Sequence, residues 1–196
     1  MGIQFPTIWW LFPLAAIILI LSSLILTRSG KLEQAGLRAA FIAAGAFFGI
    51  IAFTLPFFQQ PNIHNPVFNY LIGLPLIVVG LAGRVYALLY LRQQGTTTAL
   101  AEVQKLVDSG PYAWVRHPQY TFGFILLVGW YLLWGAVYSL TMLPLILGII
   151  YAQALIEEKF ILEKMFGDAY RQYRQRVGMF VPRIRAGKRD HYTSGG

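Results

Sequence analysis

Gly110-Pro111-Tyr112-Ala113-Trp114-Val115-Arg116-His117-Pro118-Gln119-Tyr120 is a compact polar stretch set between runs greasy enough to lie in a bilayer. Gly110 and Pro111 are turn formers. Pro118 disfavours helix at the residue before it, so the irregular stretch ends where the next apolar run begins. This reading puts Arg116 and His117 at a membrane surface and makes the flanking runs the spans that hold them there.

Downstream of the loop, residues 118–156 carry no formal charge. Trp134-Gly135-Ala136-Val137-Tyr138-Ser139 forms a tight outer turn between two antiparallel helices. The second helix continues through Glu157-Glu158-Lys159 into Phe160-Ile161-Leu162. Leu162, Met165, Phe166, Tyr170, Tyr173 and Val177 then recur at three- and four-residue spacing with basic residues between them, the pattern of an amphipathic helix lying on a membrane.

Upstream, Gln93 to Ser109, with Thr96-Thr97-Thr98 and Gln104-Lys105-Leu106-Val107, is too polar to span and is expected to line an interface or a pocket. The run before that ends in Arg84 and Arg92. An arginine two turns inside a helix end either snorkels to the headgroups or faces a polar cavity. From Ala39 to Gly83 there is again no charge, and Gln59 to Pro66 breaks the run into two helices joined by an outer turn that carries His64. Gly45-Ala46-Phe47-Phe48-Gly49 has small-xxx-small spacing, expected to serve packing within the chain, with a homodimer as the alternative. Residues 1–27 are uncharged and read as a first span rather than a signal peptide, which needs a basic start and a shorter apolar core.

Of 196 residues, 57% are hydrophobic and 12% charged, the balance of an integral membrane protein. The expected fold is therefore an all-α integral membrane protein, a single domain over 1–196. About five transmembrane helices fall near 7–27, 39–58, 67–91, 119–134 and 140–157, with a cytosolic loop and a C-terminal interfacial amphipathic helix. The net charge of +8 sits between and after the spans, which speaks for the positive-inside rule and against nucleic acid as a partner. Segments after the first, third and fifth helices are the basic ones. That sets the N-terminus outside and the C-terminus in the cytosol.

No cysteine occurs, which removes thiolate chemistry, and three histidines are too few for a membrane di-iron centre, so no metal is expected. There is no G-x-S-x-G elbow, no G-x-G-x-x-G turn and no P-loop. Arg116, His117, Glu157 and Glu158 remain, all at one face. Adjacent residues on a helix diverge by about 100°, so one glutamate is expected to face inward. An inward Glu158 opposite Arg116 and His117 suits a ligand carrying both a carboxylate and an ammonium.

Leu106-Val107-x-x-Gly110-Pro111-Tyr112-x-x-x-Arg116-His117-Pro118-x-Tyr120, followed by Glu157-Glu158 and Phe166-Gly167-x-x-Tyr170-x-x-Tyr173, resembles the isoprenylcysteine carboxyl methyltransferase family and its phospholipid methyltransferase relatives, over roughly the C-terminal half. The resemblance implies S-adenosylmethionine as methyl donor, with S-adenosylhomocysteine as product, held in a cofactor region of about 96–120 and 157–182. It implies Gln104, Lys105, Leu106, Val107, Tyr112, His117, Pro118, Gln119, Tyr120 and Glu158 around the cofactor, and Arg116 with Glu158 as the catalytic pair. The implied partners are the bilayer and a lipophilic or amphiphilic acceptor bearing a carboxylate, a lipid amine or a thiol.

The chain departs from the family pattern at three positions. A glycine falls one residue late, at Gly123; Gln104 stands where a histidine is common; and Ala154 occupies the position of the arginine that prenylcysteine enzymes use on the substrate carboxylate. Arg84 or Arg92 is the expected substitute. A sterol-reductase-like enzyme using NADPH and a non-enzymatic membrane scaffold are the competing readings.

Overall fold

The computed structural model describes residues 8–29, 34–95 and 105–183. Among them the chain is helical, with isolated β-bridges and no strand. The helices are α1 (Ile8–Ser29), α2 (Gln34–Thr54), α3 (Gly73–Gln93, entered through a π-helical stretch Val67–Ile72), α4 (Pro118–Trp134), α5 (Val137–Thr141), α6 (Leu143–Glu157) and α7 (Glu163–Arg176). A second π-helical stretch, Glu158–Leu162, joins α6 to α7. The sequence-predicted Gln104 and the Thr96-Thr97-Thr98 run lie outside the described residues.

Each boundary has a local cause. Pro56 has no N–H to give to the carbonyl four residues back, so α2 ends at Thr54 and the Ala52 carbonyl loses its helical donor. The Tyr131 hydroxyl donates to that carbonyl at 2.7 Å, and Trp130 Nε1 donates to the Phe53 carbonyl at 2.9 Å. A proline just beyond α2 is thus answered by aromatic donors on α4. Gly135 closes α4 in the left-handed region at φ 60°, and a Cβ there would lie 2.0 Å from the Ile63 carbonyl oxygen. Ile63 N–H donates to the Gly135 carbonyl at 2.8 Å, and buried Asn69 donates to the Ile63 and Leu133 carbonyls, so the two outer turns are fastened together.

Among the described residues α3 and α4 pack most extensively. A Cβ on Gly80 would come within 2.5 Å of the Leu126 backbone, and one on Gly129 within 2.7 Å of the Gly73 carbonyl. These glycines let the two backbones approach. The Gly45–Gly49 pair behaves differently: among the described residues nothing lies within 4 Å of an added Cβ at either position. The expected packing of this motif against another helix of the chain is therefore corrected, because these glycines line a cavity. The core beside it is formed by Trp9, Phe12, Phe48, Leu55, Tyr131 and Ile146.

Among the described residues, Val67–Gln93 is the one helix long and apolar enough to cross a bilayer. Only 17% of its most apolar window is buried inside the protein, leaving Leu71, Val78 and Val79 directed outward. Leu11–Ser22 and Ala43–Phe57 are shorter apolar helices.

The apolar face of α7 also departs from expectation. Tyr170 and Tyr173 are 1% and 2% exposed, and they pack with Val177, Leu106, Leu162 and Phe166 rather than lying on a membrane. Gly167, at φ 53°, breaks the helix and turns this face inward.

Candidate active site

The 110–120 loop is a short 3-10 turn, Gly110–Ala113, followed by an extended passage into α4. Its extended part is held by the chain beyond α7. Arg116 N–H donates to the Gly178 carbonyl at 2.8 Å, His117 N–H to the Met179 carbonyl at 3.1 Å, and Val115 bridges Gly178 in parallel. The Tyr173 hydroxyl donates to the Tyr112 carbonyl at 2.7 Å, and Arg116 Nη1 donates to the Arg174 carbonyl at 3.0 Å. The loop is therefore rigid through partners nearly sixty residues away.

Behind it lies a buried ionic cluster. His117 Nε2 donates to Glu158 Oε1 at 2.9 Å, and Arg116 Nε lies 2.9 Å from the same oxygen as an ion pair whose N–H is not aligned for a hydrogen bond. All three side chains are at most 8% exposed. Burial pushes the Glu158 carboxyl up, but the His117 hydrogen bond and the His117 and Arg116 charges outweigh it and hold the carboxyl below its ordinary value. The Tyr170 hydroxyl lies beside Glu158 without hydrogen-bond alignment; burial and the carboxylate charge both drive its pKa upward. The π-helical turn that starts at Glu158 widens the helix here, a feature often met at functional sites.

Glu157 faces the other way. It lines a cavity of about 800 Å³, with its side chain 30% exposed, and accepts from the Tyr120 hydroxyl at 2.9 Å. His117 Nδ1 is 3.8 Å from the same carboxylate, and its ring stacks on Tyr120 at 5.3 Å. One imidazole thus touches both glutamates. Tyr112 also lines the cavity; burial raises its hydroxyl to about 12, with the Gln119 hydrogen bond opposing and the Glu157 charge adding.

Of the sequence-predicted residues, Lys105, Leu106, Val107, Tyr112, Arg116, His117, Pro118, Gln119 and Tyr120 all line this cavity. Glu158 stands behind its wall. Arg84 lines it too, with Nη1 2.8 Å from where a Gly123 Cβ would sit, so Gly123 makes room for the guanidinium. Arg92 is exposed and lies outside the lining. Sequence reasoning did not assign the lining residues Glu157, Gln153 and the Gly45–Gly49 face; it saw the Tyr170–Tyr173 stripe but assigned it to the bilayer. Ala154, in the position of the missing arginine, is fully buried.

A family profile described as phospholipid methyltransferase matches residues 68–169, just over half of the sequence. The chain belongs to the phospholipid methyltransferase family. The family match takes in the 110–120 loop and both glutamates, and ends before Tyr170, Tyr173 and the 178–180 segment that hold the loop. Protein-S-isoprenylcysteine O-methyltransferase of Schizosaccharomyces pombe is 39% identical over 79 residues, 40% of this chain and 34% of that protein. The mouse protein of the same name is 29% identical over 149 residues, 70% of this chain and 50% of its own length. The nickel-cobalt-cadmium resistance protein NccN of Alcaligenes xylosoxydans xylosoxydans is 26% identical over 113 residues, 58% of this chain and 49% of that protein. The chain spans between a third and a half of the length of these relatives. No solved structure gives a significant match.

Proposed function

We propose that this member of the phospholipid methyltransferase family catalyses methyl transfer from S-adenosylmethionine to a lipophilic or amphiphilic acceptor, within a five-span membrane domain whose N-terminus is outside and whose C-terminus is cytosolic. The observation that carries the reading is the cavity's division of labour. Its loop end offers a carboxylate, Glu157, beside phenols and an imidazole, while residues of α2 (Phe48, Ile50, Ala52) and the start of α6 (Ile146, Ile150) line it with apolar groups.

The donor set fits an amino-acid-like cofactor. Glu157 is accessible to an ammonium, the Arg116 guanidinium in the cavity wall offers a cation to a carboxylate, and Leu106 and Val107 supply apolar contact. A volume of about 800 Å³ lies in the upper part of the range of about 300–1,000 Å³ that suits one drug-sized ligand, leaving room for the reactive end of a second molecule.

S-adenosylmethionine supplies a methyl group already activated by a sulfonium leaving group, which departs with the carbon–sulfur electron pair as S-adenosylhomocysteine. The protein's task is then alignment and exclusion of water. Glu158 and the 178–180 segment lock Arg116 and His117, His117 fixes Glu157 and Tyr120, and Tyr112 stays protonated at neutral pH as a donor. Arg84, rather than Arg92, is the cation poised for an acidic acceptor, because it lines the cavity.

Membranes containing the protein, given tritium-methylated S-adenosylmethionine and an organic extract of cell membranes as acceptor pool, are expected to transfer label to solvent-extractable product. His117→Ala membranes with equal amounts of folded protein should lose the transfer. Equal label in both, or none in either, overturns the proposal.

A further inference from the structure

Gln153 is 3% exposed, lines the cavity, and its Nε2 has no hydrogen-bond partner among the described residues. A buried amide left unpaired is destabilising, so its persistence deep in an apolar helix calls for an acceptor that the fold itself does not supply. Gln153 stands one helical turn before Glu157 on α6, within the uncharged run 118–156. The same helix face continues in Ile150 and Ile146, both in the cavity wall.

From α2 come Gly45 and Gly49, with open space where a Cβ would be. The cavity thus has an α2 wall without side chains at Gly45 and Gly49 and a neutral donor, Gln153, on its α6 wall among Ile146 and Ile150. Fully buried Ala154 places no cation beside that donor.

We propose that this part of the cavity is the acceptor subsite: the hydrocarbon chain of the acceptor lies along the Gly45–Gly49 face, and an oxygen next to its reacting group accepts a hydrogen bond from Gln153 Nε2. The proposal rests on the methyl-transfer reading and adds the residue that recognises the acceptor. A prenylated carboxylate and a phospholipid headgroup both present such an oxygen, and both are tested.

Protein in phosphatidylcholine nanodiscs, loaded with S-adenosylhomocysteine, is titrated with N-acetyl-S-farnesylcysteine. A second set of nanodiscs carries increasing phosphatidylethanolamine, and binding in both is read from intrinsic tryptophan fluorescence. One probe is expected to bind, and Gln153→Leu and Gly49→Leu are each expected to weaken it about tenfold, while S-adenosylhomocysteine affinity stays within about twofold. Gln153→Leu removes the donor; Gly49→Leu fills that part of the cavity from a position with free space, so it tests the site even where Gln153→Leu does not fold. Equal probe affinity in wild type and either folded variant overturns the subsite, as does binding of neither probe by protein that still binds S-adenosylhomocysteine. Failure of the wild type to bind S-adenosylhomocysteine overturns the methyl-transfer reading instead.

Discussion

Glu158 shows how much one side chain organises here. Its carboxylate meets Arg116 and His117 through one oxygen, and both partners are buried, so removing its charge strands a guanidinium in low dielectric. Glu158→Gln should therefore destabilise the protein by about 3–5 kcal/mol, measured by denaturation in detergent. The sign with pH follows from the lowered folded pKa. The charged form contributes its full stability above the ordinary value of 4.5, and the contribution is lost as pH falls through the folded value. Wild type should lose stability over that acid window, and Glu158→Gln should show a flatter profile there.

The loop residues and Glu158 were legible in the sequence because charge between uncharged spans demands partners. Which glutamate faces the cavity was not. An ideal helix rotates neighbours by about 100°, whereas the π-helical turn at Glu158 alters that geometry and leaves His117 in reach of both carboxylates.

At the scale of elements, identical glycines do opposite jobs. Gly80→Ala drives a methyl into the Leu126 backbone and should cost about 1–3 kcal/mol by parting α3 from α4. Gly45→Ala meets open space and should be neutral or stabilise α2 by about 0.5–1 kcal/mol. Thermal unfolding of the two variants in one detergent separates them. Small-residue spacing was visible at Gly45–Gly49, but spacing does not say what lies across from it. Pro118 at the start of α4 and Gly135 after it were readable as boundaries, whereas the expected second span of 39–58 ran through Pro56 and α2 covers Gln34–Thr54. The inward turn of α7 was not readable. Its apolar stripe satisfies a membrane surface and a protein interior equally, and the pairing of Val115 with Gly178 that decides between them is long-range.

At the scale of the molecule, the outward-facing apolar surface of Val67–Gln93 and the uncharged runs on either side of the loop support a membrane-embedded domain with its catalytic end at one face. Because the chain contains no cysteine, single substitutions report topology without background. Asn62→Cys, in the turn between α2 and α3, should react with a membrane-impermeant maleimide in intact cells. Asp168→Cys, on α7, should react only after permeabilisation. The reverse pattern would invert the proposed orientation.

Calorimetric titration of purified protein with S-adenosylhomocysteine tests most directly whether the cavity behind the 110–120 loop holds the methyl donor. Binding at micromolar affinity is predicted for wild type, with loss of at least about tenfold in a folded Glu157→Ala variant. No binding in either lipid or detergent, or binding of NADPH in its place, would contradict it.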